Sequence, residues 1–95
     1  MSIKFEWDPK KAASNLRKHR VSFEEVLTVF TDPLARIFDD AGHSTEEQRE
    51  IIVGHSVDER LLVVCFSAYQ ESLRVFSARK ATKRERKDYE ANVKP

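Results

Sequence analysis

The sequence contains little cysteine, glycine and proline, and it has no long apolar run. Its single cysteine, Cys65, excludes an internal disulfide and indicates a reducing compartment. With two glycines, three prolines and no repeats or low-complexity tracts, it has no composition typical of a flexible linker. No stretch approaches the roughly 18 apolar residues of a membrane span, and the first residues lack the apolar region of a signal peptide. We therefore expect a soluble, cytoplasmic protein that does not enter a membrane.

The length of the chain limits the number of domains and the size of the core. A sequence of 95 residues is long enough for one core and too short for two, so residues 1–95 are expected to form a single domain. A domain of this size buries only a modest fraction of its surface. It must therefore place most of its 40% hydrophobic residues in the core or gain stability from a partner.

The first third of the chain predicts one strand and two helices. Residues 3–7 alternate between apolar and polar side chains, which is typical of a half-buried strand. Asp8 and Pro9 are suited to the cap and first position of a helix of about three turns. Ser22 and Glu25 have capping-box spacing at the start of a second helix. Four bulky side chains recur at helical spacing along that helix and are expected in the core: Phe23, Val26, Leu27 and Phe30.

The rest of the chain predicts strands followed by a final helix. Asp32 and Pro33 end the second helix. Four strand-like segments then cover residues 34–40, 49–55, 60–69 and 72–79. The connections "SVDE" and "QE" are too short for crossover helices, so these strands should pair as antiparallel hairpins. Thr82 and Glu85 then begin a charged surface helix whose one large apolar residue is Tyr89. The predicted fold is α+β: β-α-α, an antiparallel β-meander and a C-terminal helix.

Alternation in the two longest strands predicts two different sheet faces. In the third of the four segments, one set is uniformly apolar: Leu62, Val64, Phe66 and Ala68. In the last segment, the set expected on the partly polar face is Leu73, Val75, Ser77 and Arg79. We therefore expect the helices to cover one face and to leave the other partly open.

Charge is unevenly distributed along a chain whose formal net charge is only +1. Residues 79–87 contain six basic residues and one acid, whereas residues 39–50 contain five acids and one arginine. Six more basic residues lie within residues 4–20, so both ends of the chain can contribute to one positive surface. Such a surface attracts phosphates, but a pI near 7.9 is far below that of a dedicated nucleic-acid binder. Charge alone leaves both a phosphate-binding surface and an ordinary solvated one open.

Three stretches of the sequence resemble one known family. "FEWDPKKAASNLRKHRVSFEEVLTVFTDP", "HSTEEQREIIVG" and "LRVFSARKATKRERKDY" are similar to the BrnT toxins of type II toxin–antitoxin systems, which resemble RelE-type ribonucleases in fold. The resemblance implies a metal-independent endoribonuclease without a cofactor that blocks translation. It also implies a BrnA-like antitoxin with a ribbon-helix-helix domain, through which alone the toxin would contact operator DNA. One departure is Arg20, which stands where a glycine is expected after the first helix.

Metal-free RNA cleavage requires stabilisation of negative charge on the phosphoryl oxygens, and arginine is suited to this task. Arg79 is the first candidate because it lies where the last strand meets the basic helix, although it is equally explained as a surface arginine. Arg49 is a further candidate because it matches the BrnT family and begins the neighbouring strand, and Arg74 is a weaker one. Arg74 reaches the same face as Arg79 only if a bulge or twist separates them, because five residues apart they have opposite parity. A salt bridge to Glu47 or Glu71 is the alternative explanation of Arg49.

Proton transfer requires a second set of side chains. His43 and His55 are candidates because imidazole exchanges protons near neutral pH, although both are also ordinary turn residues. Glu47 is a candidate base only if its neighbours raise its affinity for a proton. Tyr89 is expected either to contact RNA, by stacking on a base or touching the phosphate, or to anchor the last helix to the sheet.

Further candidates lie on the two charged helices. Asn15 and His19 are one turn apart on the first helix, where packing and capping explain them as well as catalysis does. Five basic residues are expected to bind the RNA backbone: Lys18, Lys80, Lys83, Arg84 and Lys87.

Two other functional classes remain open or disfavoured by the sequence. A non-catalytic module that binds RNA, or that receives an acidic antitoxin segment, would have the same distribution of charge. A metal-dependent nuclease is disfavoured, because Asp39 and Asp40 are adjacent and point to opposite strand faces, and no compact acidic cluster is present.

Overall fold

A computed structural model describes residues 3–40 and 48–93 of the chain, and within them it contains three helices and one five-stranded sheet. The strands are β1 (Lys4–Glu6), β2 (Arg36–Asp39), β3 (Glu50–His55), β4 (Leu61–Tyr69) and β5 (Ser72–Lys80). The helices are α1 (Pro9–His19), α2 (Phe23–Val29) and α3 (Lys83–Val93). The predicted α+β class and the β-α-α start are confirmed. In the described part of the chain, no helix is both long and apolar enough to cross a membrane.

The sheet is mixed, with the strand order β1-β5-β4-β3-β2. Strands β2 to β5 form the predicted antiparallel meander, because each pairs with the strand that follows it in the chain. Strand β1 instead pairs in parallel with the start of β5, where Lys4 lies opposite Ser72. This pairing ends at Arg74, so the second half of β5 has no strand beside it on that edge among the described residues.

The helix starts follow the predicted caps. The carboxylate of Asp8 accepts a hydrogen bond from the Lys10 N–H at 2.8 Å, and the hydroxyl of Ser22 accepts one from the Glu25 N–H at 3.1 Å. Helix α1 ends at Arg20, which adopts the left-handed conformation with φ 60°. An arginine therefore takes the conformation for which glycine was expected.

The Glu25 carboxylate does not complete a capping box but lies in a buried ion pair. It accepts hydrogen bonds from the Ser56 hydroxyl at 2.6 Å and from Arg60 Nε at 2.9 Å, and a second Arg60 nitrogen also contacts it. The hydrogen bonds from Arg60 lower the pKa of Glu25, although burial opposes this effect. Arg60 Nη2 also donates to the Arg20 carbonyl at 2.9 Å. The cluster thereby joins the start of α2 and the end of α1 to the β3–β4 turn.

The core lies between helices α1 and α2 and one face of the sheet, which we call the covered face. Of the four residues predicted in the α2 stripe, Phe23 and Val26 are fully buried, and Leu27 and Phe30 are half-buried. From the sheet, the core is completed by Ile52, Leu62, Val64, Phe66, Val75 and Ala78. The opposite face, which we call the open face, is left without α1 or α2, but α3 lies over part of it, so the helices do not all cover one face.

A β-bulge in β5 changes which of its residues share a face. Cys65 of β4 is paired with Ser77, but the next residue of β4, Phe66, is paired with Val75, so Phe76 is the extra residue. Alternation therefore reverses at Phe76. The prediction that Leu73, Val75, Ser77 and Arg79 share one face was wrong: the first two lie on the covered face and the last two on the open face. Arg74, paired with Ser67, now lies on the same open face as Arg79.

Candidate functional site

The open face carries two adjoining cavities that share Arg79. The first has a volume of about 340 Å³, and we call it the arginine cavity. Its polar lining comes from α1, β4 and β5 and from the residues that flank β2 and β3: His19, Asp40, Arg49, Cys65, Ser77 and Arg79. The second, the helix cavity, has a volume of about 280 Å³ and lies between α3 and four apolar side chains of the sheet: Phe38, Ile51, Val53 and Val63.

Arg79 is held by a carboxylate from the first turn of α3. Its two terminal nitrogens donate to the two Glu85 oxygens at 2.7 and 2.9 Å, so the guanidinium and the carboxylate are paired in parallel. Glu85 also closes the predicted capping box, because it accepts the Thr82 N–H at 2.9 Å while the Thr82 hydroxyl accepts the Glu85 N–H at 3.1 Å. The hydrogen bonds from Arg79 lower the pKa of Glu85 to about 2, so this carboxylate stays ionised near neutral pH. With 43% of its side chain exposed, Arg79 remains accessible from solvent.

Arg49 reaches the same cavity from the start of β3. Its guanidinium lies 4.1 Å from the ring centroid of Phe76, the bulge residue, and the Lys11 ammonium lies 5.4 Å from the same centroid. Arg49 Nε is buried, and none of the residues that the structure describes accepts a hydrogen bond from it. The bulge therefore supplies a flat surface that fixes the plane of one guanidinium at the cavity wall, and one donor of that guanidinium has no acceptor among the described residues.

Cys65 lies beside Arg49 in the floor of the arginine cavity. Its sulfur lies 3.7 Å from Asp40 Oδ2. Burial raises the pKa of the Cys65 thiol, and the neighbouring Asp40 raises it further. The thiol therefore stays protonated near neutral pH and is not an activated nucleophile.

His19 enters the arginine cavity because Asn15 fixes helix α1 to the open edge of β5. The Asn15 side chain donates to the Ala78 carbonyl at 2.8 Å and accepts from the Ala78 N–H at 3.0 Å, as a neighbouring strand would. It also donates to the Val21 carbonyl at 3.0 Å. The contact places the last residue of α1 beside the strand position that precedes Arg79. Asn15 thus has a structural role, whereas the His19 imidazole makes no hydrogen bond or ion pair within residues 3–40 and 48–93.

His55 and Tyr89 lie together in a different group of residues, which we call the anchor cluster and which is completed by Asp32. The Tyr89 hydroxyl donates to Asp32 Oδ2 at 3.3 Å, and the backbone N–H of His55 donates to the same oxygen at 2.7 Å. The rings of His55 and Tyr89 pack edge to face with centroids 5.4 Å apart. Burial alone would raise the pKa of Asp32, but hydrogen bonds from His55, Leu34 and Tyr89 together lower it. The anchor cluster thus joins α3 to the end of α2 and the end of β3.

The sequence indicated Asp32 only as the end of a helix and did not indicate this second role. The one signal available was the Asp-Pro pair itself, which is common wherever a helix ends. His55 does not line the arginine cavity, and Tyr89 lines only the helix cavity.

The remaining candidates are dispersed. Arg74 lies on the open face but lines a third cavity, with Glu6 and Tyr69 among its neighbours. His43 and Glu47 lie outside the described residues. All five predicted RNA-binding residues are exposed, and none of them lines the arginine cavity or the helix cavity. They are Lys18, Lys80, Lys83, Arg84 and Lys87.

Helix α3 turns its acids and its basic residues in different directions. Glu85 and Asp88 line the helix cavity, together with Tyr89. The basic residues of the helix are absent from that lining. The basic residues of α3 are therefore exposed outside both cavities, and the positive charge inside the arginine cavity comes from Arg49 and Arg79. Within the described part of the chain, no group of three or more His, Cys, Asp or Glu residues is arranged to hold a metal ion.

Comparison with known proteins relates this chain to a family and to a solved structure. The model of the family described as ribonuclease toxin, BrnT, of type II toxin–antitoxin systems matches residues 7–85. Among solved structures, the chain resembles the crystal structure of the Brucella abortus ribonuclease toxin BrnT, with a TM-score of 0.66 and 22% sequence identity. The match covers 86% of this chain and 100% of that chain, and at this identity it establishes the fold alone. A comparison with curated proteins found no match.

Proposed function

We infer the function of this chain from its family, because it belongs to the BrnT ribonuclease toxins of type II toxin–antitoxin systems. Membership implies an RNA substrate and an antitoxin partner. We propose that residues 1–95 form one toxin domain that cuts RNA internally without a metal ion. The observation that carries this proposal is the arginine cavity, in which Arg49 and Arg79 face one space large enough for a phosphate group.

The proposed reaction is attack by the RNA 2′-oxygen on the adjacent phosphorus. The new bond from the 2′-oxygen forms while the bond to the 5′-oxygen breaks, so the products are a 2′,3′-cyclic phosphate and a 5′-hydroxyl. Negative charge grows on the phosphoryl oxygens during this exchange. The guanidiniums of Arg49 and Arg79 are suited to stabilise that charge, because they present planar donors and stay charged throughout.

Because Arg79 is paired with Glu85, RNA must compete with Glu85 for the Arg79 guanidinium. A phosphate that uses both terminal nitrogens of Arg79 must displace the Glu85 carboxylate, which holds the same two donors. We propose that Glu85 keeps Arg79 extended toward the cavity in the free protein and yields part of this contact to the substrate. Glu85 keeps its hydrogen bonds with Thr82 when a phosphate takes its place at Arg79, so the start of helix α3 need not unfold.

We further propose that cleavage inhibits translation in the cytoplasm and that an antitoxin neutralises it. The antitoxin is expected to be BrnA-like with a ribbon-helix-helix domain, and operator DNA would be contacted only through it. The exposed basic residues of α3 and Lys18 would attract RNA to the rim of the cavities.

The experiment that tests the proposal is incubation of the purified protein with RNA in excess EDTA. Wild type is compared with Arg79→Ala, and Arg86→Ala serves as the matched control because Arg86 is exposed on α3 and lines neither cavity. We expect Arg79→Ala to lose about 10²- to 10³-fold in cleavage rate, the usual effect of removing one oxyanion-stabilising donor. New ends carrying 2′,3′-cyclic phosphates support the mechanism. RNA that stays intact with folded wild type, alone and with ribosomes, contradicts it.

A non-catalytic binding module is the second candidate function. It is favoured by one observation, the pairing of both Arg79 terminal nitrogens with the Glu85 carboxylate in the free protein. The two candidates differ in the effect of Arg79→Ala. A ribonuclease loses cutting while it retains antitoxin binding, whereas a binding module shows no cutting before or after the substitution.

A further inference from the structure

We propose that His19 is the general base of the arginine cavity, where it accepts the proton that leaves the 2′-hydroxyl of RNA. This inference rests on the proposed ribonuclease function and specifies one residue of it. The proton passes to the His19 imidazole as the 2′-oxygen bonds to phosphorus. The leaving 5′-oxygen takes a proton from solvent water, and the hydroxide that remains takes the proton from the His19 imidazolium, so the exchange is balanced.

The position of His19 follows from the edge contact of helix α1. Asn15 forms two hydrogen bonds with the backbone of Ala78, and Ala78 directly precedes Arg79 in β5. Arg60 holds the next residue after His19, because it donates to the Arg20 carbonyl at 2.9 Å. The end of α1 is therefore fixed on both sides of His19, and its side chain lines the cavity that contains Arg49 and Arg79.

The two histidines of the described residues, His19 and His55, differ in the contacts that their imidazole rings make. His55 packs on the Tyr89 ring, and its Nδ1 lies 3.7 Å from Asp32 Oδ2, outside the arginine cavity. The His19 imidazole has no hydrogen-bond or ion-pair partner in the described part of the chain, although it lines the same cavity as two guanidiniums. His19 is exposed and lines this cavity, so its ring nitrogens are available to accept a proton from a molecule bound there.

The other charged groups around His19 come from the sheet and from its own segment. Arg49 and Arg79 face it from the sheet and stay charged, as do Arg17, Lys18 and Arg20 on its own segment. Burial raises the pKa of Cys65, and the pKa of Glu85 is about 2, so neither changes charge in this range. Asp40 is a carboxylate of the same cavity. Imidazole is the side chain type that changes charge between about pH 5 and 8, so its removal should be visible in a pH profile.

The test compares His19→Ala and His19→Gln with wild type in the RNA cleavage assay, over a range of pH and with and without added imidazole. Leu16→Ala is the control, because Leu16 lies in the same helix turn, is half exposed and does not line the cavity. We expect both His19 variants to lose about 10²- to 10⁴-fold in kcat, with RNA binding retained. We also expect the acidic limb of the pH profile to disappear and added imidazole to restore part of the activity of His19→Ala.

Three results would overturn the assignment. The first is cleavage by His19→Ala at the wild-type rate. The second is recovery of activity in His19→Gln, because glutamine keeps polar packing but cannot accept the proton. The third is a loss in both variants that leaves the acidic limb unchanged and that imidazole does not relieve. Wild-type protein that cuts no RNA would instead contradict the proposed function, so the two failures are distinguishable.

Discussion

The arginine cavity and the anchor cluster contain similar residue types but differ in how their polar groups are satisfied. In the anchor cluster, Asp32 accepts hydrogen bonds from the His55 and Leu34 N–H groups and from the Tyr89 hydroxyl, and Tyr89 is only 5% exposed. In the arginine cavity, Arg49 Nε is buried without an acceptor among the described residues, and the His19 imidazole has no partner there. Folded proteins rarely leave buried donors unpaired, so the paired groups of the anchor cluster indicate a structural role.

Of the substitutions that compare the two regions, Arg49→Ala is expected to have the largest effect, which is a lower rate of RNA cleavage. Removing this donor should lower the rate by about 10²- to 10³-fold. The free energy of unfolding should change little, because the Arg49 guanidinium stacks on Phe76 at the surface of the sheet and not in the core. Initial rates and urea unfolding measured on the same preparations separate the two quantities. If Arg49→Ala cleaves RNA at the wild-type rate, Arg49 has a structural role like the residues of the anchor cluster, and the contrast between the two regions does not hold.

The opposite result is expected from Asp32→Ala in the anchor cluster. The substitution leaves the His55 N–H without its acceptor and the Tyr89 hydroxyl without its partner, which should cost about 1–3 kcal/mol of unfolding free energy. Cleavage per folded molecule should be retained. Asp39→Ala is the matched control, because Asp39 is exposed on β2 and should shift stability by no more than about 0.5 kcal/mol. Equal stability of the two variants would contradict the structural role of Asp32.

The two regions should also respond to acid in a predictable order. The pKa of Asp32 is lowered in the folded protein, so its contribution to stability is present above its unfolded value of 3.8 and is lost as pH falls through the lower folded value. The pKa of Glu85 is about 2, against 4.5 unfolded, so its pairing with Arg79 follows the same sign. Stability measured by urea unfolding should therefore fall below about pH 4.5, and the fall should be smaller in Asp32→Asn. Equal acid sensitivity in wild type and variant would refute this assignment.

The smallest effect is expected from Glu85→Gln. Glutamine can still close the capping box with Thr82, but it removes the charge that competes with RNA for Arg79. Exposed pairs of this kind contribute about 0.2–1 kcal/mol, so RNA should bind about twofold to fivefold more tightly. Binding to an uncleavable RNA with 2′-deoxy positions measures this effect without turnover. Weaker binding would mean that Glu85 orients Arg79 more than it competes for it.

The sequence by itself determined the secondary structure and the class of fold. The cap residues Asp8 and Ser22 act within three positions of the chain, and alternation along a strand is equally local, so both were readable. The candidates Arg49 and Arg79 were also identified from the sequence, through its resemblance to the BrnT family. The caps and the alternation depend on neighbours in the chain, whose distance is fixed by covalent geometry.

Only the tertiary structure decided which side chains meet. The bulge at Phe76 reversed the alternation of β5, and nothing in the residues of that strand marks it. The contact of Asn15 with Ala78 joins residues 63 positions apart, and it brings His19 to the arginines. The hydrogen bond from Tyr89 to Asp32 spans 57 positions. Such contacts depend on how whole elements pack, which local pattern does not encode, and they decided which cluster anchors α3 and which side chains line the arginine cavity.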